Sequence, residues 1–199
     1  MSLEKLDTEI RREQIVEAAL GLIAAKGVRR LSMAALARRV GLVPSALYRH
    51  FGSKQEILQA AVQMIGQKAR ENLKAVQSVT PNSLQRLQYL LTGIIKMIRE
   101  LQAMPRIMFS EGMATDHPED KRQVYEMLQG ILTQIEGIVR EGQDRGEIRV
   151  DIDAKSLAVM FWGMIPPAVI LWHVSDGEFD VTRHAEKSWD LFRDEIRAK

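Results

Sequence analysis

The 199-residue chain predicts an all-α protein of about nine helices in two domains, and three observations carry that expectation. Apolar residues recur at alternating spacings of three and four over long stretches, the period of one helical face. No segment alternates apolar and polar residues at period two, as a half-buried strand would. A compact three-helix head needs only about 50 residues, which leaves a chain of this length enough to bury a second, larger core.

The elements follow in order. In the head, apolar Met33, Leu36, Ala37 and Val40 make one face of a second helix. Gly41 then permits a sharp turn that β-carbon sterics deny most residues. A shorter third helix, roughly Val43 to Arg49, opens near Pro44, because proline lacks only an N–H that has no intrahelical partner in a first turn. Two helices joined by a glycine-containing turn form a helix-turn-helix. The fourth helix runs from Ser53 to about Val76 and opens on Ser-Lys-Gln-Glu, a capping box in which Ser53 and Glu56 satisfy each other's backbone donors.

Beyond residue 60 the stripes Leu84, Leu87, Leu91, Ile94, Ile98, Leu101 and Val124, Leu128, Ile131, Ile135, Ile138 predict two long antiparallel helices. Thr80-Pro81, His117-Pro118 and Asp153 mark helix starts; Gly142 or Gly146 and the Ser175-Asp176-Gly177 turn mark ends. Gly146 to Asp153 is then a connecting loop. From Ser156 to Ser175 there are 20 residues without a charged side chain. Gly163, Pro166, Pro167 and His173 argue against a membrane span there and for a largely buried helix kinked by its prolines. The last helix offers Ala185, Trp189, Phe192 and Ile196 as a seam. The expected domains are residues 1–60 and 61–199.

Charge is unevenly spread. Between Ala18 and Gln55 there are seven basic residues and no Asp or Glu. The first 60 residues hold ten Lys/Arg against six Asp/Glu, whereas residues 61–199 hold 18 against 20. A local basic face at the helix-turn-helix is the electrostatic footprint of double-stranded DNA binding.

The stretch Arg12 to Leu58 resembles the DNA-binding domain of the TetR/AcrR family: Gly27 closes the first helix, Ser32 caps the second, and Leu47, Tyr48 and Phe51 close the third in order and spacing. The resemblance implies that the third helix enters the major groove. DNA-contact candidates are Ser32, Pro44, Ser45, Ala46, Tyr48, Arg49, His50 and Lys54. Ser45 and Ala46 would face base edges; Tyr48, His50 and Lys54 match positions that hold phosphate. Arg49 has reach for guanine or for phosphate, Tyr48 also fits a core role, and His50 also fits a helix end. Met33 and Ala34 stand where relatives often place polar contacts, and Val43 replaces the usual polar cap, so base readout by hydrogen bonds is sparse.

No motif covers the remainder, where the resemblance implies a ligand-binding and homodimerisation domain. Methionines and aromatics adapt to irregular apolar cavities. The effector-pocket candidates are Met104, Met108, Phe109, Met113 and Tyr125, with Met160, Met164, Trp172 and His173; ordinary core packing is the competing reading of the same residues. Phe161 with Ala185, Trp189, Phe192 and Ile196 is the expected dimer interface. Dimerisation is also a physical requirement, since one short helix with few base-reading side chains cannot select an operator from a genome. The effector is expected to be small and apolar or amphipathic, with no cofactor.

An enzyme is not expected. Without cysteine there is no thiol chemistry or thiolate zinc site, and no phosphate loop or nucleophile elbow is present. Glu111, Asp116, His117, Glu119 and Asp120 describe a helix start rather than a metal site. The absence of a charged-then-apolar leader points to a cytoplasmic protein. A helical protein-binding adaptor or activator with little sequence-specific DNA binding is the alternative reading.

Overall fold

The computed structural model describes residues 3–108 and 118–198. Among them are ten α-helices: α1 Leu3–Lys26, α2 Met33–Val40, α3 Pro44–Tyr48, α4 Lys54–Val79, α5 Ser83–Glu100, α6 Ala103–Met108, α7 Pro118–Asp144, α8 Ala154–Gly163, α9 Ile165–Val174 and α10 Val181–Ile196. A 3₁₀ turn, Val28–Arg30, links α1 to α2. Counting α8 and α9 as the single kinked helix that the sequence predicts gives nine. The break falls at Met164, and Pro166 and Pro167 lie in the first turn of α9, where their missing N–H groups cost no hydrogen bond.

The chain divides into two compact units, and the division is not the single cut expected at residue 60. One unit comprises residues up to Gln67 together with α6; the other comprises Lys68–Glu100 and the chain from α7 onward. The chain therefore visits the head twice, because α6 packs on α1. Ala103 and Ile107 are buried in the head's core with Ile15, Ala19 and Ile23 of α1, Leu36 and Ala37 of α2, and Leu47, Phe51, Ile57 and Ala61. Leu47 and Phe51 thus take the core roles their apolar character demands.

In the second unit α5 and α7 pack together. The start of α5 is tied to the end of α7, so the two run antiparallel as their stripes predict. The Ser83 backbone N–H donates to Glu147 Oε2 at 2.6 Å, Arg145 donates to Ser83 Oγ at 2.6 Å, and Arg86 pairs with Glu141 at 2.6 Å. Gly142 does not end α7 but permits this approach: a Cβ there would lie 2.7 Å from Ile148 Cδ1 and 2.8 Å from Ser83 Cβ. The turn beyond α7 is made by Gly146 at φ 69°. The expected loop from Gly146 to Asp153 is pinned by an antiparallel bridge between Ile148 and Arg197, with Arg149 N–H donating to Ile196 O at 2.9 Å. Asp153 then caps α8 by accepting from Ser156 N–H at 3.0 Å.

The seam on α10 faces inward, which corrects the expected dimer interface. Ala185, Trp189, Phe192 and Ile196 are buried within the protomer, as is Phe161 of α8. Phe161 meets Trp189 edge-on at 6.4 Å and Phe192 at 6.0 Å, a three-ring cluster with Trp189 and Phe192 6.3 Å apart. An amphipathic stripe shows that a face is covered, and here the cover comes from the same chain. Val159 and Met160 of α8 and Ile170, Leu171 and Val174 of α9 are exposed apolar residues, as are Tyr89, Tyr125, Val150 and, on α10 itself, Leu191. Ala154–Val174, with mean hydropathy 1.7, is the one candidate among the described residues long and apolar enough to cross a membrane. Its interruption at Met164 and its buried Leu157, Phe161, Ile165 and Val169 fit packing inside the protein instead.

Candidate nucleic-acid interface

Local capping shapes the helix-turn-helix. Ser32, in extended conformation, accepts from Ala35 N–H through Oγ at 3.2 Å and opens α2. Gly41 closes it in the left-handed region at φ 76°, a conformation that a β-carbon disfavours. The chain turns through Leu42 and Val43 into α3, with Pro44 in the first turn as its fixed φ requires.

The five residues of α3 present an uneven face. Pro44 and Ser45 are exposed, as is Arg49 just past the helix, and Tyr48 is 53% exposed. Ala46 departs from expectation: it is only 8% exposed and points into the head beside Leu47, so it cannot face a base edge. On α2, Ala34, Arg38 and Arg39 are exposed, while Met33 packs partly against the core. The side chains exposed at and beside α3 are therefore Val43, Pro44, Ser45, Tyr48 and Arg49.

The turn between α3 and α4 is clamped from α1 by Arg12, which no local spacing singles out. Arg12 stacks its guanidinium over the Phe51 ring at 4.0 Å, donates to the His50 carbonyl, and pairs with Glu56 Oε1 at 3.1 Å. Glu56 Oε2 accepts from Gly52 N–H at 2.7 Å, and Ser53 Oγ accepts from Glu56 N–H at 3.1 Å. The capping box is thus half as expected, its return bond displaced by one residue from Ser53 to Gly52. Arg12 and Glu56 stand 44 residues apart, a separation at which no helical spacing links them; Glu56 alone carried a local signal.

The Gly52 N–H, then the Arg12 guanidinium, holds the Glu56 carboxyl below its ordinary value of 4.5. A depressed carboxylate pKa contributes stability above the ordinary value and loses it as pH falls through the folded value. The expected result is that Glu56→Gln melts below the wild type at neutral pH, and that the gap closes as pH falls below 4.5 through the lowered folded value. Thermal melts across that range check it; a gap independent of pH would remove the ionised pair from the clamp.

Lys54, at the start of α4, donates from Nζ to Val28 O at 2.8 Å, a bond that uses one of its three donors. His50 is half-buried, and its Nδ1 has no hydrogen-bond partner among the described residues.

Only some of the effector candidates lie among the described residues. Phe109 and Met113 lie outside the described residues, as do Glu111, Asp116 and His117; Met108 is described only by its backbone in α6, and Glu119 and Asp120 only by theirs in α7. Met104 packs against the head's core. Tyr125 and Met160 stand exposed in the second unit, and Met164, Trp172 and His173 are half-buried there. Two open clefts in that unit, of about 440 and 330 Å³, are lined by none of these residues; the larger is walled by Gln85, Gln88, Glu147, Trp189 and Arg197 among others. Among the described residues no cluster of three or more His, Asp or Glu is arranged to hold a metal.

A head carrying a capped helix-turn-helix on a basic, acid-free segment, continued by a separate all-helical unit, defines the class of helix-turn-helix DNA-binding regulators. Residues 15–68 match the family described as bacterial regulatory proteins, tetR family, and residues 111–194 match that described as YsiA-like protein, C-terminal region. The chain belongs to the TetR family of transcriptional regulators. It is 24% identical over 188 residues to the nucleoid occlusion factor SlmA of Vibrio vulnificus, covering 94% of this chain and 96% of that protein. Its fold is similar to that of the transcriptional regulator FadR from Bacillus subtilis in complex with stearoyl-CoA, with a TM-score of 0.76 and 22% identity over 90% of this chain and 96% of that one. It is similar also to the ketosteroid transcriptional regulator KstR2 of Mycobacterium tuberculosis, with a TM-score of 0.74 and 19% identity over 95% and 96%.

Proposed function

We propose that this protein is a cytoplasmic, ligand-responsive repressor that binds a palindromic operator as a homodimer and is released by a small, largely apolar molecule. The observation that carries the reading is the outward set Ser45, Tyr48 and Arg49 on a capped helix-turn-helix, within a run of seven basic and no acidic residues. Tyr48, His50 and Lys54 are assigned to phosphate, and Arg49 to a base edge or phosphate. Effector control is supported by the regulator of similar fold that holds stearoyl-CoA. The dimer surface is assigned to the outward apolar face of α8 and α9, replacing the α10 seam. We assign the chain no catalytic role.

Selection from random duplexes tests this reading. It should enrich a dyad-symmetric site whose affinity falls steeply with salt as counterions are released. Lys54→Ala should weaken binding about equally across sequences and lower the salt slope by about 1. Enrichment of no dyad, with or without candidate effectors, would sink the repressor reading. It would favour the adaptor alternative.

The similarity to a nucleoid occlusion factor supports a second reading, in which DNA binding serves a chromosomal rather than a promoter-bound role. Genome-wide binding separates the two: a few promoter sites for the first, many dispersed sites for the second.

A further inference from the structure

Val43 is the outward side chain at the helix-turn-helix that the protein's own packing does not explain. It is 64% exposed, and it occupies the cap position of α3 with extended backbone, φ −76° and ψ 148°, while making no side-chain cap bond. Ser, Thr, Asp or Asn at that position would accept a first-turn N–H, as Ser32 does for α2. Valine forgoes that bond and obtains no burial in exchange. Beside it Pro44 is exposed as well, so an apolar corner stands next to Ser45 and Arg49. Ala46 is buried, and Ser45, Tyr48 and Arg49 are the exposed hydrogen-bonding side chains at and beside this helix.

The surroundings identify what meets this corner. It lies within the segment from Ala18 to Gln55 that carries seven basic residues and no acidic one, a charge complement to a polyanion. In the major groove the apolar group offered by base edges is the C5 methyl of thymine. We infer that Val43, with Pro44 beside it, reads a thymine methyl in each operator half-site, selecting thymine over cytosine by apolar contact. The inference rests on the DNA-binding reading and adds to it the base that the apolar corner recognises.

The test uses the full-length protein and the site obtained from random duplexes. Each thymine is replaced in turn by deoxyuridine, which removes the methyl group and leaves every hydrogen-bonding edge unchanged. One position per half-site should weaken binding about three- to five-fold, and about ten- to twentyfold when both half-sites are changed, as expected for one buried methyl in each. Val43→Ala should reduce that discrimination. Val43→Ser separates reading from folding: it supplies the missing cap and should raise Tm, yet bind thymine and uracil duplexes alike. A selected site at which no uracil changes affinity, or a Val43→Ser protein that still discriminates, overturns the inference and leaves the DNA-binding reading standing. Failure to enrich any site overturns both.

Discussion

A Trp189→Ala protein is expected to lose about 3–5 kcal/mol of stability, among the largest effects available in this chain. Trp189 is 2% exposed and meets both Phe161 and Phe192, so truncation removes a large apolar side chain and leaves a cavity lined by the two remaining rings. The lost edge-on contact with Phe161 adds to the lost transfer energy. Small domains are stable by only about 5–15 kcal/mol in total, so the variant should sit near the limit of folding. Urea denaturation followed by circular dichroism would read the loss as a lower midpoint. The result that counts against the packing is specific: an unchanged midpoint together with dissociation into folded monomers. That would return Trp189 and its seam to the subunit interface.

The converse variant should keep its fold and lose its partner. Leu171 is 46% exposed on α9, where Ile170 and Val174 are exposed too, as are Val159 and Met160 on α8. Replacing it by Glu places a charge in the middle of that apolar face, where burial against a second copy would leave it without a counter-ion. The protomer loses little, because the side chain already meets solvent. Sedimentation should find a folded monomer, and affinity for the operator at physiological salt should fall on the order of 10³-fold, the lower end of the margin between specific and non-specific binding. A Leu171→Glu protein that remained a dimer with full operator affinity would move the interface elsewhere. Taken together, the two variants separate core from interface on helices whose sequence patterns look alike.

That separation marks how far the sequence reaches. Ser32 as cap of α2, Gly41 at positive φ, Pro44 in the first turn of α3 and Asp153 as cap of α8 stand where the residues predict. Each depends on interactions spanning no more than about four residues, which a linear chain displays directly. Ala46 was misread because a small side chain on a short helix suits either face. Nothing local says that α6 returns to the head, where Met104 packs against the core. Arg12 escaped because its partners, Phe51 and Glu56, lie about forty residues away and carry no periodic relation to it.

The chain read alone dictates the helices, their caps, the helix-turn-helix and its basic charge, since these follow from short-range sterics, hydrogen bonding and composition. Packing settled what covers each apolar stripe: α10 by α5, α9 and Phe161 of α8, α6 by α1, and α3 by the head core through Leu47. The reason is that the hydrophobic effect has no direction. A stripe specifies that water must be excluded from one face, while the identity of the excluding surface depends on contacts far apart in sequence.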